Sequence, residues 1–223
     1  MRRRREEVTV DRFVDRADAG RQLAARLAAL SNLSNSIVLG LPRGGVPVAY
    51  EVAVELRLPL EVLVVRKLGV PSQRELAMGA ISEDGVVVVE DDVVAAMRVS
   101  AEEFAKVEAR ERIELHRRIE RYRGDRLATA LEGRDVVIVD DGIATGATSR
   151  AACRVARARG ATQVILAAPM ASAQTLLELR DEATEVIVLV EAEGSFSVGQ
   201  WYEDFEETSD QEVIECLRRA NSR

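Results

Sequence analysis

The 223-residue chain has one histidine, two cysteines, one tryptophan and 4% aromatic residues. Each scarcity excludes a class of chemistry. His116 alone cannot build a histidine-rich metal centre, and within a run of Glu and Arg it reads as a solvated bystander. Cys153 and Cys216 are too few for a disulfide framework and lack metal-site spacing. They are expected as free thiols in a reducing cytoplasm. No apolar run approaches the ~18 residues of a membrane helix, so no membrane partner is expected. Arg2 to Arg5 lead into "EEVTVDR", not the apolar core of an export signal, and read as a solvated tail. The formal net charge of -7 argues against nucleic acid as a partner, because phosphate backbones need a basic face. A small phosphorylated ligand needs only a local positive site and stays open. Neither a Gly-Lys-Ser/Thr nucleotide loop nor a G-x-G-x-x-G run occurs.

The composition is 47% hydrophobic and 31% charged, as in a folded globular chain. There is no internal repeat, low-complexity tract or clear linker, so residues 1–223 are expected as a single domain. "DRFVDRADAGRQLAARLAAL" predicts a helix capped by Asp15 or Asp18, with Leu23, Leu27 and Leu30 on one face. "SIVLG" (36–40) is a short buried strand, and "VPVAYEVAVEL" a helix with Pro47 in its first turn. "LEVLVV" (60–65) is the next strand, so a βαβ unit and a parallel sheet are expected. Residues 66–85 read as loop, punctuated by Gly69, Pro71, Gly79 and Gly85. "GVVVVEDDVV" is a candidate strand, one arm of a hairpin. Ala101 to Tyr122 reads as one long helix with a Ser100/Glu103 capping box and a stripe of Phe104, Val107, Leu115, Ile119 and Tyr122. "DVVIVD" (135–140) is a strand and "TSRAACRVARARG" a helix ending at Gly160. "TQVILAAP" and "TEVIVLVE" are strands around the helix "SAQTLLELRDEA". A tail with Phe196, Trp201, Tyr202 and Phe205 closes on a helix capped by Ser209 and Glu212.

The most informative stretch is "VVIVDDGIATGATSRAA" (136–152), where a buried strand runs into two carboxylates and a loop almost bare of side chains. In open parallel sheets, ligands bind at the carboxyl ends of strands. A helix start offers unpaired N–H groups and a positive dipole end, which suit a phosphate. Small residues let the backbone approach closely, and Thr145 and Thr148 add hydroxyls. The carboxylates cannot hold the phosphate, so they are matched to sugar hydroxyls or Mg²⁺. Together these residues describe a ribose 5-phosphate pocket. A solvated, N-capping βα turn is the plain alternative. A receiver domain would need its acidic pair near the first strand, and here the pair is late.

Strand, Asp-Asp, then Ala-Thr-Gly-x-Thr closely resembles the phosphoribosyl pyrophosphate motif of type I phosphoribosyltransferases. The resemblance implies an α/β fold: a Rossmann-like parallel sheet flanked by helices, with core residues about 33–192. It also implies a small hood from about 8–30 and 193–223. By the same resemblance Asp140 and Asp141 hold the ribose hydroxyls and a Mg²⁺ cofactor, and Ala144, Thr145, Gly146, Ala147 and Thr148 hold the 5-phosphate. "LPRGGV" is similar to the family's pyrophosphate loop, with Arg43, Gly44 and Gly45 as ligands and a cis Pro42–Arg43 peptide implied. Arg66 and Lys67 would steady the departing pyrophosphate, and Glu75 or Arg74 would reach the site when the following loop closes. "VGQWYEDF" (198–205) is similar to a bacterial subgroup carrying VGQxYEDF. Phe196, Trp201 and Tyr202 are then candidates to stack on an acceptor, or to pack hood against core. Ala144 stands where hypoxanthine–guanine enzymes carry Asp, which disfavours a 6-oxopurine. The implied activity is transfer of the phosphoribosyl group from phosphoribosyl pyrophosphate to a nitrogen of a small molecule, such as a nucleobase. The implied partners are that acceptor and a second copy in a homodimer. The alternatives are a non-catalytic sensor of the same ligand and a sugar-phosphate hydrolase.

Overall fold

The computed structural model describes residues 12–29, 33, 35–83, 85–124, 126–194 and 196–222. The Arg-rich stretch 2–5, residues 8–11 of the expected hood, and Leu30 lie outside them. Helix α1 (Arg16–Leu27) precedes strand β1 (Ser36–Gly40), helix α2 (Gly45–Leu56) and strand β2 (Leu60–Val62). Three antiparallel strands follow: β3 (Val65–Val70), β4 (Gln73–Ser82) and β5 (Val87–Val89). Next come α3 (Asp91–Ala96), the long α4 (Ala101–Arg123), β6 (Asp135–Val139), α5 (Ala147–Ala158) and β7 (Gln163–Ser172). The chain continues through α6 (Ala173–Leu179), β8 (Glu185–Ala192), a 3₁₀ turn at Val198–Trp201 and α7 (Asp210–Ala220).

The main sheet has the order β2-β1-β6-β7-β8, and every pairing in it is parallel. This is the doubly wound arrangement that the resemblance implied. Its strands bury both faces. Ile37 and Leu39 join Val136 and Ile138 under α5 and α6, while Val38 joins Val137 and Val139 under α1, α2 and α7. Burial on both sides explains why these strands read as continuous apolar runs rather than alternating ones. The chain adds β2 on one side of β1, then crosses back to lay β6 on the other. Gly40 pairs with Val139, so the loops that leave β1 and β6 emerge side by side at this switch point.

Residues 66–85, expected as loop, are mostly the β3–β4 hairpin. The glycines that signal a loop instead permit close backbone approach: a Cβ on Gly69 would meet Arg74 O at 2.4 Å, and one on Gly79 would meet Val88 O at 2.5 Å. The candidate strand in "GVVVVEDDVV" is β5, paired with β4, and "DD" opens α3 instead. The expected strand 60–65 is divided, with Leu60–Val62 in the main sheet and Val65 opening the hairpin.

Helix α4 has the expected capping box, with Ser100 and Glu103 bonding reciprocally. Its buried stripe includes one residue that hydrophobicity conceals. Glu111 sits between Val107 and Leu115 at helical spacing and is buried by pairing with Arg66 on β3. The terminal segments join each other: Phe13 N–H donates to Trp201 O at 2.8 Å, and Glu203 N–H donates to Phe13 O at 2.8 Å. Phe13, Ala19, Met170 and Tyr202 form a small apolar cluster that seats this joint on the end of β7.

Candidate functional site

Two loops meet at the switch point. After β1, Pro42–Arg43 is a cis peptide, and Gly44 caps α2 without a side-chain hydrogen bond. After β6, Gly146 caps α5, also without one. Neither helix carries an acid in its first turn. By contrast α1, α4, α6 and α7 are capped by the side chains of Asp15, Ser100, Ser172 and Ser209. The first amides of α2 and α5 therefore lack the side-chain cap that α1, α4, α6 and α7 have, and both helices start at the carboxyl ends of the adjacent strands β1 and β6.

The acidic pair fills the space between. Asp140 Oδ1 accepts from Asp141 N–H at 2.9 Å, and a Cβ on Gly45 would come within 3.1 Å of that same oxygen. Loss of water around Asp140, and then the Asp141 charge, push the Asp140 carboxyl well above the usual range. Asp141 Oδ2 lies so close to Gly44 that a Cβ there would be 1.9 Å from it. The same oxygen accepts from Arg16 Nε at 2.9 Å, while Tyr202 Oη donates to the Asp141 carbonyl at 2.7 Å.

The loop before α5 is tied to both β7 and α6. Ile143 N–H donates to Met170 O at 2.9 Å, and Thr175 Oγ1 donates to Ala144 O at 2.7 Å. Gly146 has φ +70, a left-handed backbone that suits glycine. Thr145 and Thr148 are exposed, with hydroxyls open to a ligand. Ser172 and Thr175 escaped sequence reasoning, since a Ser-x-x-Thr pair announces a helix cap and not support for a distant loop.

Strand alternation separates Arg66 from Lys67. Arg66 faces α4, where its Nε reaches Glu111 Oε2 at 2.9 Å. Lys67 lies on the opposite face of β3 and bonds Glu75 at both O (3.1 Å) and Oε2 (3.2 Å). Its cross-strand partner Ala80 lines a groove together with Glu75, Thr145 and Ala147. Arg43 is paired with the exposed Glu207 of the tail. Phe196 and Trp201 meet edge to face at 6.2 Å, half-buried against the Phe13–Met170 cluster. Tyr202 is fully packed, its ring 5.7 Å from Phe13 and stacked 5.0 Å from Phe205. That burial leaves the Tyr202 ring no free face for a base and makes it a strut beneath Asp141.

The chain that builds these two loops and the acidic pair at the switch point matches a known family along most of its length. The family model described as "Phosphoribosyl transferase domain" matches residues 10–203. The chain belongs to this phosphoribosyl transferase family. Two Mycobacterium tuberculosis proteins, each named "Putative phosphoribosyl transferase", are 56% identical to it over 209 residues. Those matches cover 94% of this chain but 47% of the relatives, so the chain spans about half their length. The crystal structure of TT1426 from Thermus thermophilus is similar along almost the whole fold: 42% identity, a TM-score of 0.86, and coverage of 93% of this chain and 98% of that one.

Among the described residues, no group of three or more His, Cys, Asp or Glu side chains could hold a metal ion by itself, and no helix is long and apolar enough to cross a membrane. A phosphoribosyl transferase site does not need a full protein cage. Mg²⁺ takes one or two carboxylates when substrate phosphates and water complete its shell, and Asp140 with Asp141 fits that donor set.

Proposed function

We propose that this chain transfers the phosphoribosyl group of phosphoribosyl pyrophosphate to a nitrogen of a small acceptor. The observation that carries the reading is the pair of glycine-capped helix starts at the ends of the adjacent strands β1 and β6, with Gly44 and Gly45 packed against Asp141 and Asp140. The α5 start, with Thr145 and Thr148, takes the 5-phosphate. The α2 start, with Gly44, Gly45 and Arg43, takes the pyrophosphate. Asp140 and Asp141 accept from the ribose hydroxyls between them.

In the reaction the sugar C1–O bond breaks and pyrophosphate leaves with the electron pair. The acceptor nitrogen gives its lone pair to C1 and then loses its proton. Positioning and charge stabilisation suffice for such a step. The oriented amides and Arg43 hold the leaving group, and Lys67 with Glu75 on the hairpin would add charge beside it from the α5 side. The two carboxylates favour the positive charge that builds on the sugar. Asp140 and Asp141 would hold Mg²⁺, which would supply charge stabilisation for the leaving pyrophosphate.

The test is calorimetry with phosphoribosyl pyrophosphate, with and without Mg²⁺, on the wild type and on Asp140→Asn/Asp141→Asn. Magnesium-assisted binding by the wild type and its loss in the folded double variant are expected. Pyrophosphate release that depends on an added nucleobase or amine separates transfer from hydrolysis and from sensing. No binding at millimolar ligand refutes the reading.

A further inference from the structure

We propose that Arg16 is a positioning residue for the sugar-binding acid Asp141, and that it couples the terminal tail to the site. The inference rests on the sugar-phosphate reading above.

Arg16 is the first residue of α1, a position where the helix dipole disfavours a cation. Helix stability therefore does not explain it. Its side chain is 12% exposed and committed on three sides. Nε donates to Asp141 Oδ2 at 2.9 Å, and Nη1 donates to the Glu206 carbonyl at 2.7 Å. The guanidinium carbon lies 3.9 Å from the centroid of the Phe205 ring and 5.9 Å from that of Tyr202. Gly44 of the pyrophosphate loop closes the fourth side, since a Cβ there would be 3.2 Å from Arg16 Nε.

Asp141 is thereby held between the loop after β1 and a cation from the amino-terminal helix, with one oxygen engaged. A carboxylate whose rotamer is locked by a charged neighbour presents its remaining lone pairs in one direction, which is what a sugar hydroxyl requires. Because Arg16 is itself gripped by Phe205 and the Glu206 carbonyl, the tail must be seated for Asp141 to be aligned. Lysine cannot reproduce this, since the arrangement uses a planar fork with a ring against its face.

The experiment is a double-mutant cycle on the full chain, read by calorimetry with phosphoribosyl pyrophosphate and Mg²⁺. Arg16→Ala and Arg16→Lys should each weaken binding about tenfold, the usual scale for removing the partner that orients a ligating group. In the Asp141→Asn background Arg16→Ala should cost nothing more, because both act through one contact. Guanidinium ion added to Arg16→Ala should restore part of the affinity, and methylammonium should not. Phe205→Leu makes no direct change at Asp141 and should weaken binding about two- to fivefold, by removing both the ring against the cation and the stack that braces Tyr202. Melting curves and the emission of Trp201, the sole tryptophan, confirm that each variant is folded. Wild-type affinity in Arg16→Ala, or a loss that is additive with Asp141→Asn and indifferent to guanidinium, would overturn the proposal. A wild type that binds no phosphoribosyl pyrophosphate refutes the sugar-phosphate reading itself, and this inference with it.

Discussion

Gly44→Ala tests the geometry around Asp141 directly. Gly44 has φ -60 and ψ -31, a backbone open to any L-residue. On backbone grounds alone the substitution should stabilise the protein by about 0.4–1 kcal/mol, by reducing the freedom of the unfolded chain. The new Cβ, however, would lie 1.9 Å from Asp141 Oδ2 and 2.6 Å from its Cγ. The carboxylate must retreat by about 1 Å, the scale at which positioning in a site is lost. That retreat moves it off Arg16 Nε, now 2.9 Å away, and off the line to a bound ribose. A hydrogen bond to a charged group is worth about 1.5–3 kcal/mol, so the dissociation constant for phosphoribosyl pyrophosphate with Mg²⁺ should rise about 10- to 150-fold. The melting temperature should fall by a few degrees, because a backbone gain of about 0.4–1 kcal/mol offsets only part of a lost hydrogen bond worth about 1.5–3 kcal/mol. Calorimetry and a thermal melt on the same preparation give both numbers. Gly44→Ala with wild-type affinity would refute the placement of Asp141 beside the ribose.

Glu83 lies between Arg123 and Arg159, with side-chain exposures of 3%, 2% and 7%. Glu83 is shared by two buried guanidinium groups, so Glu83→Ala should lower unfolding free energy by about 3–5 kcal/mol in urea titrations. Tyr202→Phe removes the bond to the Asp141 carbonyl, a net of about 0.5–1.5 kcal/mol; its melting temperature should fall by a few degrees. Burial holds the Cys153 thiol up at about 12 and Cys216 at about 11, above the ordinary 9.0, so both stay protonated at pH 8. A thiol reagent should label them slowly in native protein and fast in urea. The folded chain also keeps protons that the unfolded chain releases: stability from these thiols is whole below pH ~8.5 and declines as the pH rises through 11 and 12.

The fold was most legible where local order dominates. The strand β6, the acidic pair and the bare loop form one contiguous run, and the contacts that define them span only a few residues. Ser100 and Glu103 announce the start of α4 for the same reason. The hairpin β3–β4 was hidden because its glycines serve backbone proximity across strands, a relation between residues distant in sequence. Glu111 was hidden because its charge interrupts an apolar stripe, and only Arg66 on another element makes its burial tolerable.

Site residues divide along the same line. Residue types at fixed spacing carried the proposed phosphate loop, since amide exposure and small side chains are properties of a short segment. Arg66 and Lys67 were separated by the face of β3 that each occupies once α4 and α5 pack against the hairpin. The pairing of Arg16 with Asp141 joins residues 125 positions apart, and no local pattern encodes it. Tyr202, an aromatic near the end of the chain, became a strut when the two termini were brought together over β7. Local chemistry thus belonged to the sequence, because it depends on neighbours along the chain. Orientation and pairing belonged to the tertiary structure, because they depend on which surfaces the packed sheet brings into contact.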